Sequence, residues 1–320
     1  MASLLRSGVP KTGGDVDWEN IFAAWAQSPS KTEQTRCENA VNAIRNAIGK
    51  SAALKHRSIK VFTQGSYRNR VNVKQDSDVD IGVLCDESYF YSVPTGMTAE
   101  QVGNYDGPGT YLYSVFKNEL EAALVAHFGR TAVVRGNKAL NIRETTYHVE
   151  ADVVPLFEYR TYSKTGGHIA GVALLQDKGG RIENFPERLL SSWPNIPLHY
   201  ENGVSKNDGT GRRYKSVVRI IKKLRNIMEE AGNAEAKLIP SYLIECLVWN
   251  VSDVNFNGKP WLEIVRSVLC SIWSATKDDA SCGKWCEVDD IKFLFHSSQP
   301  WTRQQAHDFV GKAWDLIGIS

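Results

Sequence analysis

A chain of 320 residues exceeds the usual single-domain length of about 100–200, so it has material for two lobes, each with a core of its own. Hydrophobic residues at 42%, charged residues at 23% and the lack of any apolar run of about 18 residues exclude a disordered chain and predict no membrane span. A net charge of +2 excludes a chain that grips a polyanion by bulk charge alone, although a local basic patch can still meet phosphates.

Met1 to Gly14 is polar and lacks the charged-then-apolar layout of a signal peptide, which predicts a cytoplasmic protein. Trp18, Ile21, Phe22 and Trp25 repeat at helical spacing, and Ser30-Lys31-Thr32-Glu33 has the form of a capping box ahead of a helix over about 31–49. Ser58 to Thr63 alternates as a strand and runs into a turn at Gln64-Gly65-Ser66. Asp78 to Leu84 reads as a second strand, with the β-branched residues 79, 81 and 83 on the face opposite Asp78 and Asp80. A helix over 111–128 follows, then strands near 131–135, 138–143 and 147–157. The stretch 161–210, rich in Gly, Pro and Asn, reads as an irregular connection. Helical patterns then cover 212–231, 240–251, 260–275 and 302–317.

The expected fold class is α+β: a sheet-containing lobe over 1–210 with its irregular connection, a helical lobe over 211–320, and a cleft between them as the place for ligands. The six cysteines, at 37, 85, 246, 270, 282 and 286, read as reduced thiols. Cys282 and Cys286, with Cys270 and His296 around them, could be read as a zinc site, but the C-x-x-x-C spacing is loose and no matching second pair appears. The basic run Arg212, Arg213, Lys215, Arg219, Lys222, Lys223 and Arg225 puts 215, 219, 222 and 223 along one side of a helix, where it either faces a cleft or forms an ordinary solvated face.

Asp78-Val79-Asp80 is the sharpest feature. Alternate strand positions project two carboxylates from one face about 7 Å apart, close enough to share a pair of magnesium ions, with manganese as a substitute. Two such ions suit phosphoryl transfer. Alone, Asp-x-Asp is common on surface strands. Upstream, Gly65 permits close approach of backbone N–H groups to phosphate and Ser66 adds a hydroxyl, though Gly-Ser is also an ordinary turn. Downstream, Asp152 interrupts an apolar strand and can complete the metal cage or take a proton from an attacking hydroxyl; Glu150 shares its face and is a rival ligand.

The strings Gln64-Gly65-Ser66-Tyr67-Arg68-Asn69-Arg70, Asp76-Ser77-Asp78-Val79-Asp80 and His148-Val149-Glu150-Ala151-Asp152-Val153-Val154-Pro155 follow one another in the order of a polymerase-β-type nucleotidyltransferase. Over roughly 30–255 the chain resembles the bacterial cGAS/DncV-like nucleotidyltransferases, the CD-NTases. That resemblance implies catalytic and metal-binding roles for Asp78, Asp80 and Asp152, and nucleotide contacts from Gly65 and Ser66. It further implies donor-nucleotide contacts from Lys222, or Lys223 one position on, and from the pair Ser241 and Tyr242. Read without it, Ser241 is a helix cap and Tyr242 a core residue.

The resemblance also implies an activity: ribonucleoside triphosphates joined into a cyclic di- or trinucleotide second messenger, with pyrophosphate released, in antiphage defence. The implied partner is an effector encoded nearby and activated by the product. His168 and Asn207 are candidates for choosing the base. The animal relative's zinc-bearing insertion and basic surfaces for duplex DNA have no counterpart here, so no DNA requirement is expected. Two other readings stand beside this one. The first is a related transferase acting on RNA ends, a protein or a small molecule, which the low net charge disfavours for RNA. The second is a catalytically silent nucleotide or RNA sensor, which three clustered carboxylates disfavour.

Overall fold

The structure, a computed structural model, describes residues 16–28, 30–73, 79–106, 109–184, 198–258, 260–290 and 292–317. In chain order the elements used below are helices α1 (Trp18–Trp25) and α2 (Lys31–Lys50), strand β1 (Ile59–Gln64), the one-turn helix α3 (Gly65–Arg68) and strand β2 (Val79–Ser92). Helix α4 (Tyr113–Phe128) leads to strands β3 (Val133–Arg135), β4 (Leu140–Ile142), β5 (Ala151–Tyr162), β6 (His168–Leu175) and β7 (Arg181–Asn184). Helices α5 (Leu198–Gly209), α6 (Tyr214–Glu230), α7 (Ala234–Lys237), α8 (Ser241–Trp249), α9 (Trp261–Thr276), α10 (Asp279–Cys282) and α11 (Arg303–Leu316) complete the chain.

Contacts divide this chain into two units, one of Ser30–Arg68 and Ser77–Leu198, the other of Met1–Pro29, Asn69–Asp76 and His199–Ser320. The sequence pattern alone divides it once, at 210/211.

The sheet unit begins as its sequence dictates. The Ser30 hydroxyl accepts from the Glu33 N–H at 3.2 Å, while the Glu33 carboxylate accepts from the Ser30 N–H at 2.8 Å, so α2 starts with a complete capping box. Its strands run in the order β1-β2-β5-β4-β3, and β6 and β7 extend the sheet from the later part of β5. Only β2 and β5 are parallel among these described pairs; the others are antiparallel. Val79, Ile81 and Val83 of β2 and Ala151 and Val153 of β5 share one buried core with Ile44 of α2 and Phe116 and Leu120 of α4.

A polar clamp ties the same core together. Lys117 on α4 is 1% exposed, and its ammonium donates to the Asp177 carboxylate at 2.9 Å and the Asn137 carbonyl at 3.1 Å. Arg135 on β3 donates to the other Asp177 oxygen at 2.7 Å and to Glu121 on α4 at 2.8 Å. One turn between β6 and β7 is thereby fastened to the helix and to the β3–β4 hairpin.

The helical unit has a separate core. It gathers Trp18 and Phe22 of α1, Val217, Ile221 and Leu224 of α6, Val265 and Leu269 of α9 and Phe309 of α11, together with Val71. Glu19 on α1 accepts from the N–H groups of Trp261 and Leu262 at 2.9 and 2.8 Å, satisfying two of the unpaired donors that open α9.

Two expectations change. Within 161–210 the structure forms the β6–β7 hairpin and α5 where an irregular connection is expected. β6 is an apolar run covered on both faces, without the alternation that marks a half-buried strand, and Gly166 and Gly167, at φ +84° and +74°, make its turn with β5. The basic run on α6 is neither a solvated face nor an open patch at Lys215, Arg219 and Lys222, which are buried.

The Arg135 hydrogen bond, reinforced by Lys117, lowers the Asp177 carboxyl from 3.8 to about 2. A carboxyl held below its unfolded value contributes stability that is complete above the unfolded value and fades as pH falls through the folded one. Wild type should therefore lose stability relative to Asp177→Asn as pH drops from about 5 toward 2, measured as the difference between their urea midpoints; a difference independent of pH would contradict the clamp.

Candidate active site

The parallel register of β2 with β5 places Asp80 opposite Asp152. Facing residues on neighbouring strands stand about 5 Å apart and project to the same side. Across β1, β2, β5 and β4 one row reads Gln64, Asp80, Asp152 and Asn141. Asp80 and Asp152 are half-buried, while Val79, Ile81, Ala151 and Val153 beside them are buried. Alternation thus gives the apolar face to the core and leaves the carboxylates on the polar one.

Gly65 closes in on this row. It has φ +64°, and a Cβ added to it would overlap Asp80 Oδ2 and lie 3.1 Å from Asp80 Cγ. A side chain is therefore excluded twice, by the left-handed backbone and by the carboxylate in front of it. Gly65 and Ser66 form the start of α3, not an open turn. The first N–H groups of any helical turn point away from its own carbonyls.

Asp152 is held from the other side. Asn141 Nδ2 donates to Asp152 Oδ1 at 3.1 Å and to Glu150 Oε1 at 2.7 Å. Sequence reasoning did not single out Asn141, because a neutral amide in a three-residue strand carries no local signal; only the β4–β5 pairing brings it to the aspartate. Carboxylate oxygens on half-buried positions suit a hard cation of the magnesium type. Asp78 lies outside the described residues, and among those described no three His, Cys, Asp or Glu side chains group as a metal site.

Lys222, Ser241 and Tyr242 all belong to the helical unit. Lys222 is 3% exposed; it donates to the Val71 carbonyl at 3.3 Å and stands 3.8 Å from Glu245. Burial pulls its pKa down and Glu245 pulls it back. Glu245, itself buried, also accepts from His199 at 2.8 Å; burial alone would raise its pKa, yet His199, Lys222 and Lys215 hold it below the usual carboxylate range. Lys223 is half-buried.

Ser241 is the first residue of α8, whose cap position is Pro240, and its hydroxyl accepts from Arg225 at 2.5 Å. Tyr242 is half-buried and donates to Glu287 at 2.9 Å, and its ring stacks on His199 at 5.7 Å between centroids. Asn207 accepts from the Lys215 N–H at 3.1 Å, bracing the start of α6, and His168 on β6 packs its ring on Tyr162 at 5.1 Å.

A family model described as the cGAS/DncV-like nucleotidyltransferase C-terminal helical domain matches residues 201–318. The chain is 40% identical over 306 residues to a cyclic dipyrimidine nucleotide synthase, CdnE, of Legionella pneumophila, covering 94% of this chain and 98% of that protein. Among solved structures it resembles a CdnE cyclic dinucleotide synthase of Elizabethkingia meningoseptica with GTP and Apcpp, at a TM-score of 0.75 and 31% identity over 94% of this chain and 99% of that one. A CdnE c-UMP-AMP synthase of Rhodothermus marinus with Apcpp and Upnpp is similar at a TM-score of 0.75 and 30% identity, covering 93% and 95%.

Two substitutions test these arrangements. Gly65→Ala should displace the Asp80 carboxylate and cut turnover by about a hundredfold, measured by pyrophosphate release, while far-UV circular dichroism stays that of wild type. Glu245→Ala leaves Lys222 buried beside an empty space and should cost about 3–5 kcal/mol of unfolding free energy by urea titration.

Proposed function

The chain belongs to the cGAS/DncV-like nucleotidyltransferases, and we propose that it joins two ribonucleoside triphosphates into a cyclic dinucleotide through Asp78, Asp80 and Asp152. The observation that carries this reading is the facing of Asp80 and Asp152 on parallel strands, with Gly65 packed against Asp80.

In each of two rounds a ribose hydroxyl oxygen attacks an α-phosphorus. The new P–O bond forms as the bond from that phosphorus to the β-phosphate bridging oxygen breaks, and pyrophosphate leaves with the electron pair. The hydroxyl proton passes to a neighbouring base, a role for which Asp152 is the candidate carboxylate. The second round closes the ring. Asp78, Asp80 and Asp152 would hold two magnesium ions, or manganese in their place, which supply charge neutralisation at the attacking and leaving oxygens when bound.

The residues do the rest of the positioning. Gly65 and Ser66 offer backbone N–H groups and a hydroxyl to the triphosphate oxygens. Tyr242 offers an aromatic face to a base and Ser241 a hydroxyl to a phosphate. Lys222 acts here as the buried partner of Glu245, and Lys223, one position along, is the ammonium of α6 better suited to a triphosphate.

Antiphage signalling through a product-activated effector follows as the biological setting of this activity, supported by the resemblance to cyclic nucleotide synthases. No helix among the described residues is long and apolar enough to cross a membrane.

Incubation with all four ribonucleoside triphosphates and magnesium, then phosphatase and mass spectrometry, should give resistant cyclic dinucleotides whose masses name the bases. Asp80→Ala should give none. Linear products alone, or resistant products undiminished in Asp80→Ala, would overturn the assignment.

A further inference from the structure

Asp152 and Glu150 are two carboxylates near one amide, and no cation pairs with either among the described residues. Asn141 alone connects them. Its Nδ2 carries two hydrogens and donates to Glu150 Oε1 at 2.7 Å and to Asp152 Oδ1 at 3.1 Å. The backbone leaves it little choice of place. Asn141 is the register partner of Asp152, and its neighbours Leu140 and Ile142, 0% and 1% exposed, are locked into the core on the other face.

The chemistry of this position is selective. A lysine or arginine would neutralise Asp152 permanently and compete with a metal ion for its charge. An aspartate would repel both carboxylates, and a leucine would leave them without a donor. An amide fixes one oxygen of Asp152 while removing none of its charge. The same group also restrains Glu150, which has the longer, more mobile side chain and lies only two residues away.

We propose that Asn141 is a positioning residue for nucleotidyl transfer: its amide sets the Asp152 carboxylate for metal binding and keeps Glu150 from taking its place. The proposal rests on the reading of Asp152 as a metal-binding carboxylate. Carboxylates that bind metals are commonly oriented by a hydrogen bond to their second oxygen, and losing that bond weakens metal binding without abolishing it.

The test is Mn²⁺ affinity of the full-length protein with a non-hydrolysable ATP analogue, read from the electron paramagnetic resonance signal of free Mn²⁺, beside steady-state kinetics and the metal-free melting temperature. Asn141→Leu should weaken Mn²⁺ binding by about tenfold and slow turnover at limiting metal by a similar factor. Its metal-free melting temperature should stay near wild type, and excess Mn²⁺ should recover most of the lost rate, which no folding defect would do. Glu150→Gln, which keeps an oxygen to accept from Asn141, should bind Mn²⁺ as wild type does.

Asp152→Asn separates the two claims. Should Asp152→Asn bind Mn²⁺ normally, the metal role of Asp152 fails and Asn141 falls with it. Loss of Mn²⁺ binding in Asp152→Asn with wild-type affinity in Asn141→Leu would overturn the Asn141 proposal alone. If Asn141→Leu does not fold, Asn141→Ser, whose hydroxyl is too short to bridge both carboxylates, is held to the same criteria.

Discussion

The parallel pairing of β2 with β5 is the constraint on which the site depends. Two strands running the same way need a crossover, and here the chain between Ser92 and Ala151 supplies it with α4 and the β3–β4 hairpin. Because both strands start at the same level, their second residues, Asp80 and Asp152, face one another. A slip of one residue would turn either aspartate into the core and a valine out of it. Burial of Val79, Ile81, Val83 and Val153 therefore fixes which face carries the carboxylates. Chemistry at this site is anchored by apolar packing on the opposite face.

Those parts of the fold that rest on local rules were readable in advance. The capping box at Ser30 and the helical spacing of α2, α4, α6, α9 and α11 each state their own structure within a few residues. Asp152 stood out because an acid in an apolar strand needs a reason. What escaped depends on partners distant in sequence. β6 is a strand because β5 and β7 flank it, and its unbroken apolar run carries no period to betray that. Asn141 matters only through the register of β4 with β5.

Helix α6 shows the same limit with the opposite sign. Its lysines and arginines read as facing either a cleft or solvent, because charge is usually solvated or met by a ligand, yet Lys215, Arg219 and Lys222 are buried. Backbone carbonyls meet two of them: Arg219 donates to those of Ala26 and Arg70, and Lys222 to that of Val71, with Glu245 as the buried counter-charge. The segment they grip follows directly on the Gly65-Ser66 pair, and Arg70 in it has φ +55°, a left-handed backbone that costs about 1–2 kcal/mol. The 2.7 Å bond from Arg219 to the Arg70 carbonyl helps to hold that conformation. The basic run thus holds the backbone at Arg70 and Val71, a role invisible to a charge count.

Several acids of this chain are paired with cations or with a histidine. Asp177 is held by Arg135 and Lys117, Glu121 by Arg130 and Arg135, and Glu245 by His199 and Lys222. Each of these acids is matched by a fixed cation or by a histidine able to become one, and such a match leaves little charge for a ligand. Asp152 and Glu150 instead meet an amide, which orients without neutralising. Asp152 and Glu150 meet no cation among the described residues, and like charges held this close repel and oppose folding. The amide at Asn141 orients Asp152 and leaves its charge in place, so the apolar face of the sheet must withstand the repulsion.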